Sequence, residues 1–282
     1  MLRSSITSYS PLQFGAKNIM YQEYSPAIPL LPYLDCYWIV TGEKLGANQK
    51  STLKVLPDGC VDMIFRKHHS SEYVGTITGV MNEYMDVLIS QDMLFLGVRF
   101  RPGGVRAIFR TKVDSFSGQR VHFTDLNKTW TELQDRLNAN ELQWMDLLNQ
   151  YFLTVINKNM NAQFSNQMKN MFHQIYRHHG NIKIQQLARS GGLSTRHLQR
   201  LFYEWTGLSP KTFCRVVRFH FTLKQLSRGE FDIDSYSDQA HFIREFRTLT
   251  GVTPSKWMSD FFNTKTMNGI KLYENKTTMK GR

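Results

Sequence analysis

The spacing of apolar residues changes twice along the 282-residue chain. Over residues 1–125, short apolar runs alternate with Gly, Pro and Asp. L-D-C-Y-W-I-V (34–40), T-L-K-V-L (52–56), C-V-D-M-I-F (60–65), E-Y-V-G-T-I (72–77), M-D-V-L-I (85–89) and L-F-L-G-V-R-F (94–100) each predict a strand. Pro57-Asp58-Gly59 and Pro102-Gly103-Gly104 predict turns. Several short strands in close succession predict a small barrel or sandwich. Over 126–160 the period lengthens: Leu133, Leu137, Leu142, Trp144, Met145, Leu147, Leu148, Phe152, Val155 and Ile156 fit two amphipathic helices. The Asn-rich stretch 157–166 then predicts a linker.

Beyond the linker the helical period returns, and with it an internal repeat. Leu198 to Phe213 reads L-Q-R-L-F-Y-E-W-T-G-L-S-P-K-T-F; Phe242 to Trp257 reads F-I-R-E-F-R-T-L-T-G-V-T-P-S-K-W. At an offset of 44 residues Arg200 matches Arg244, Phe202 matches Phe246, Thr206-Gly207 matches Thr250-Gly251 and Pro210 matches Pro254. Each copy predicts a helix, a Gly stop and a new helix beginning Ser-Pro or Thr-Pro. Ser194 and Asp238 stand where an N-cap would accept from the first free amides. Upstream of the first copy, Ile184, Leu187 and Ala188 form a stripe, Gly191-Gly192 breaks it and Leu193 plugs the turn. That is helix-turn-helix spacing.

Charge changes this picture from a helical domain to one with a polyanionic partner. Residues 1–165 carry 16 basic and 15 acidic side chains, residues 166–262 carry 14 and 7, and the tail 263–282 carries 5 and 1. The excess that makes the net charge +12 therefore sits with the helix-turn-helix pattern. Cys36, Cys60 and Cys214 are widely spaced and odd in number, which argues against a disulfide framework or a zinc motif. No apolar run suggests a membrane span or a signal peptide, so the expectation is a cytoplasmic protein with no membrane partner.

The C-terminal motifs resemble the DNA-binding domain of the AraC/XylS family of transcription regulators. The carriers are I-x-x-L-A (184–188), G-L-S-T-R-H-L-Q-R-L-F (192–202), T-G-L-S-P (206–210), S-D-Q-A-H-F-I-R-E-F (237–246) and T-G-V-T-P-S-K-W (250–257). The resemblance implies two helix-turn-helix units joined by one long helix, here about Pro210 to Leu226, each unit placing a recognition helix in the major groove of double-stranded DNA. It implies base contacts from Arg196, Gln199 and Arg200 in the first unit, and from Gln239, Ala240, Ile243 and Arg244 in the second. Thr195, Lys211, Thr212, Arg215, Arg218, His241 and Lys256 are the candidate phosphate contacts. Arg and Gln are side chains that reach base edges with two hydrogen bonds, whereas phosphate contacts position without specifying sequence.

The N-terminal half resembles the regulatory domain of one branch of the same family, on Y-S-P-A-I-P-L-L-P-Y-L-D-C-Y-W (24–38), V-L-P-D-G-C-V-D-M-I-F (55–65) and G-V-R-F-R-P-G-G-V-R (97–106). This implies an α+β protein: a cupin-like β-barrel (1–125) whose interior takes a small-molecule effector, a helical linking and homodimerisation region (126–165), an all-α double helix-turn-helix domain (166–262) and a disordered basic tail (263–282). RNA polymerase is the partner expected of the family. No effector is named by the sequence.

One departure qualifies the expectation. Arg228 to Ser237 reads R-G-E-F-D-I-D-S-Y-S, about half a dozen residues short of the first helix that the family's second unit carries. The alternative function is therefore a ligand-sensing or interaction protein whose DNA binding is weakened. No catalytic constellation, cofactor motif or metal site is expected: His68-His69 and His122 do not pair as H-x-H, and Cys60 has no histidine in its motif.

Overall fold

A computed structural model describes residues 9, 11, 13, 16, 18–68, 71–116, 118–125, 128–158, 165–228 and 239–260. Among the described residues the N-terminal half is built on eight strands: β1 (Met20–Tyr24), β2 (Leu34–Thr41), β3 (Lys50–Val55), β4 (Val61–His68), β5 (Val74–Thr78), β6 (Met85–Ser90), β7 (Met93–Phe100) and β8 (Arg120–His122). All pairings are antiparallel. One sheet runs β1-β2-β7-β4-β5-β8, and a second consists of β3 and β6. The six expected strands are all present, within a residue or three at their ends. β1 and β8 were not expected. β1 hides because its inward positions are Tyr21 and Glu23, a buried acid whose partner Arg99 is remote in sequence.

A short helix α1 (Gly104–Phe109) follows the P-G-G turn. The two expected amphipathic helices are α2 (Lys128–Ala139) and α3 (Trp144–Lys158). Asn149 on α3 accepts from the Ala27 amide and the Tyr37 hydroxyl, both at 2.9 Å, so α3 docks on the large sheet. The C-terminal half is helical: α4 (Asn166–Arg177), α5 (Ile184–Ser190), α6 (Thr195–Thr206), α7 (Pro210–Arg228) and α8 (Gln239–Thr250), with residues 254–260 helical again. α4 was not singled out from sequence. The basic tail, Asp238 and the short stretch before it lie outside the described residues.

The largest apolar core crosses from one half to the other. Phe100, Ile108, Trp130 and Phe152 belong to the same buried cluster as Phe172, Phe202 and Phe213. A second cluster fills the space between the two sheets around Trp38, Val40, Leu53 and Ile89. A third joins α7 and α8 through Phe219, Leu223, Leu226, Phe242, Phe246 and Leu249, and includes Leu56 from the N-terminal half.

Candidate nucleic-acid interface

The first unit forms as its residues require. Ser194 Oγ accepts from the His197 amide at 3.2 Å and starts α6. Gly207, at φ 73°, stops it with its amide on Tyr203 O at 2.9 Å. Between α5 and α6, Gly192 takes φ 65° and the Leu193 amide returns to Ala188 O at 2.9 Å. Leu198 and Phe202 are fully buried against Leu187 and Ala188 of α5. The opposite side of α6 is open: Thr195, Arg196, Gln199, Arg200 and Tyr203 are all exposed.

The second unit repeats the first at the level of hydrogen bonds. Thr206 Oγ1 donates to Phe202 O at 2.8 Å and accepts from the Leu208 amide at 3.2 Å. Thr250 Oγ1 does the same with Phe246 O and the Val252 amide, at 2.8 and 3.2 Å. Gly251 takes φ 78°. Ser209 Oγ caps α7 through the Thr212 amide at 3.0 Å, and Thr253 Oγ1 caps the last helix through the Lys256 amide at 3.3 Å. On α8, Phe242 and Phe246 are buried while Gln239, Ala240, Ile243 and Arg244 are exposed. All seven candidate base contacts thus lie on open helix faces.

Between the two units lies a cleft of about 550 Å³, walled by the start of α5, by α7 and by α8. Five of the seven candidate phosphate contacts line it: Lys211, Thr212, Arg215, Arg218 and His241. Arg244 reaches it as well, and so do Lys183 and Thr248, which the sequence reading did not single out. Lys183 could have been found as the residue just before α5, where a cation faces the same side as Lys211. Thr195 and Lys256 lie outside the cleft; Lys256 Nζ pairs with Asp260 at 2.8 Å. Three of the cleft's basic side chains already have partners, His241 among them at 3.7 Å from Glu245. Arg218 Nη2 donates to both oxygens of Glu245, at 3.0 and 3.2 Å, tying α7 to α8. Arg215 Nη2 donates to Asn82 O, at 3.1 Å, on the β5–β6 loop.

The N-terminal half meets this domain through the P-D-G loop. His220 on α7 is buried, and its Nε2 donates to Pro57 O at 2.8 Å. Burial pulls its pKa down to about 3, against the opposing pull of that carbonyl, so the ring is neutral. Tyr9 stacks on Tyr176 of α4 with centroids 5.1 Å apart and donates to Asp58 O at 3.0 Å. The same loop reaches back into the sheets. Arg99 on β7 sits 2.9 Å from Glu23, 3.1 Å from Asp58 and 3.8 Å from Asp62. Three carboxylates thus share one guanidinium. Burial raises Asp58 and Asp62 despite Arg99, and the neighbouring acid adds to it, taking Asp62 to about 7. Arg101 in turn lies 3.2 Å from Asp35 and donates to Tyr9 O at 2.7 Å. These pairs join the three sequence motifs of the N-terminal half into one buried polar layer.

Arg99, Asp62 and Gln13 also line a cavity of about 80 Å³ between the two sheets, otherwise walled by residues such as Val40, Leu53, Val87 and Ile89. Elsewhere, His68 lies 3.4 Å from Asp92 and His122 is exposed on β8, while His69 is outside the described residues. Among the described residues no three His, Cys, Asp or Glu side chains converge as metal ligands. The three cysteines are buried and unbridged. No helix of the described residues is long and apolar enough to cross a membrane.

Comparison with known proteins gives one match in each half of the chain. Residues 187–260 match a family described as a helix-turn-helix domain, and residues 22–122 match a domain of unknown function. No curated protein matches significantly. Among solved structures, ToxT from Vibrio cholerae O395 is 10% identical, with 86% of this chain and 98% of that chain covered and a TM-score of 0.39. An apo point variant of ToxT from Vibrio cholerae strain SCE256 is also 10% identical, with 86% and 96% covered and a TM-score of 0.41.

Proposed function

We propose that this chain, whose residues 187–260 match a helix-turn-helix domain, is an AraC-type, sequence-specific transcription regulator that reads two successive major-groove segments with α6 and α8. The observation that carries this reading is the pairing of two exposed recognition faces with a cationic cleft between them. Arg196, Gln199 and Arg200 read bases from one groove; Gln239, Ala240, Ile243 and Arg244 read from the next. The phosphates between the grooves pass over the cleft, where Lys183, Lys211, Arg215 and Arg244 meet them. Arg218 serves chiefly to hold Glu245, and the Thr212 hydroxyl, 2.8 Å from Ser209 Oγ, to steady the cap of α7.

In this reading residues 1–125 sense a small effector at the cavity between the sheets, whose walls are apolar with a few polar groups and whose volume of about 80 Å³ must widen to admit one. Residues 126–165 link the halves and contribute to a homodimer, residues 166–262 bind DNA, and the bound protein acts on RNA polymerase in the cytoplasm. Selection of duplexes from a randomised pool by the full-length protein, followed by footprinting, tests the reading. Protection of two grooves one helical turn apart is expected; protection of one groove favours a weakened single reader, and no selection refutes DNA reading. Arg200→Ala should relax the preference at one base pair and cost about 1–3 kcal/mol of specific binding.

A further inference from the structure

The two recognition helices are supported differently. α6 rests on its own partner helix α5 and also on the N-terminal half, against α1 and residues 113–116, with Lys112 Nζ 3.2 Å from Glu204. At the repeat's 44-residue offset, Ile184, where α5 begins, corresponds to Arg228, and α7 is still helical there. The second unit therefore spends on its long helix the start of the segment that supports the first.

Among the described residues, α8 is supported by α7 and by the N-terminal half. Leu56, fully buried, enters the cluster of Phe242, Phe246 and Leu249 behind α8. Its backbone is held at both ends by Gln13, which donates to Leu56 O at 2.9 Å and accepts from the Leu56 amide at 3.1 Å. The strut is thus stiff: the loop after it is pinned by Asp58 on Arg99, and by His220 on Pro57. A second contact comes from Tyr84 on the β5–β6 loop. Its ring lies so near Gly251 that a Cβ there would sit 2.5 Å from Cζ. Lys54 Nζ lies 3.8 Å from the centre of the same ring, and Asn82 O, two residues earlier, holds Arg215. Leu56 thus shares the buried cluster that seats α8 on α7, and Tyr84 abuts the C-terminal stop of α8.

We infer that Leu56 and Tyr84 are positioning residues for the second groove reader, so that the N-terminal domain is a working part of the DNA-binding surface. The inference rests on the reading of α8 as a groove-reading helix. It has a physical consequence: the first reader stands without these two contacts, and the second does not. Loosening the strut lets α8 tilt, and side chains that must meet base edges within a few tenths of an ångström lose register.

The test uses the full-length chain, a duplex it has itself selected from a randomised pool, and hydroxyl-radical footprinting. Leu56→Ala and Tyr84→Ala are each expected to weaken protection of the groove assigned to α8 about tenfold, while protection at the α6 groove changes little. Leu56→Met, which keeps the volume, should restore the second footprint. Tyr84 is partly exposed, so Tyr84→Ala carries the test where Leu56→Ala does not fold. Equal loss at both grooves, or no loss at either, overturns the inference. A wild-type footprint confined to one groove overturns the premise beneath it, and is read before any variant.

Discussion

Position 245 shows how one residue can depart from a repeat for a structural reason. Its counterpart at the 44-residue offset is Leu201, a partly buried apolar residue. Here it is Glu245, whose side chain is only 7% exposed and which receives two hydrogen bonds from Arg218. His241 Nε2 adds a contact at 3.7 Å. A carboxylate so buried persists because Nη2 of the guanidinium reaches both of its oxygens. Removing only the acid leaves a cation poorly solvated. Glu245→Ala should therefore cost about 1–3 kcal/mol in urea denaturation, whereas the double change Glu245→Leu with Arg218→Met should recover most of that loss. The repeat itself was plain in the sequence, and so was the charge at 245. That this charge is turned inward was not, because its partner sits on another helix.

The element that most depends on protonation is the P-D-G loop on α7. His220 faces Pro57 O, the edge of the Tyr9 ring 6.1 Å away, and the charges of Lys224 and Arg99. Its folded pKa of about 3 lies below the ordinary 6.5. Between these values the unfolded chain binds a proton that the folded chain refuses, so stability falls as pH falls through this window, by about 1.4 kcal/mol per pH unit. Asp62 works in the opposite sense. Its pKa is raised from 3.8 to about 7, so the folded chain keeps a proton that the unfolded one has lost, and stability falls as pH rises through that range. The two slopes partly cancel near pH 4–6. The signature of His220 is therefore a difference: His220→Gln, which can still donate to Pro57 O, should lose less stability than wild type between pH 7 and 5. Thermal melts of both proteins across that range measure it.

At the scale of the whole molecule, binding should be governed by the cleft and the two faces together. Each phosphate neutralised by a cation releases counterions, so log K falls against log salt with a slope of about −0.9 per contact. Lys183→Gln and Lys211→Gln should each reduce that slope by about 1 and weaken all duplexes alike, unlike Arg200→Ala, which should discriminate among them. Titrations of one selected and one unrelated duplex at several salt concentrations separate the two effects. The same view explains why α1 and α4 escaped the sequence reading. Phe172 of α4, in one buried cluster with Ile108 of α1, serves a core that spans both halves, and the boundary between the halves is not a gap in packing.

What the sequence determined alone was everything that depends on neighbours along the chain. Six strands, two helices after them, the duplicated helix, the caps at Ser194 and Ser209 and the glycine stops all follow from periods and turn chemistry over a few residues. The exposed Arg and Gln of α6 belong with them, because a helix with Leu198 and Phe202 inside must turn those residues out. What only the tertiary structure decided were pairings across tens to hundreds of residues: Glu23 with Arg99, Arg218 with Glu245, Pro57 with His220, Leu56 in one cluster with Phe242. Such contacts join residues whose local patterns are each satisfied in many other ways. They are selected by which surfaces remain to be buried once the local elements exist, and that is a property of the assembled chain.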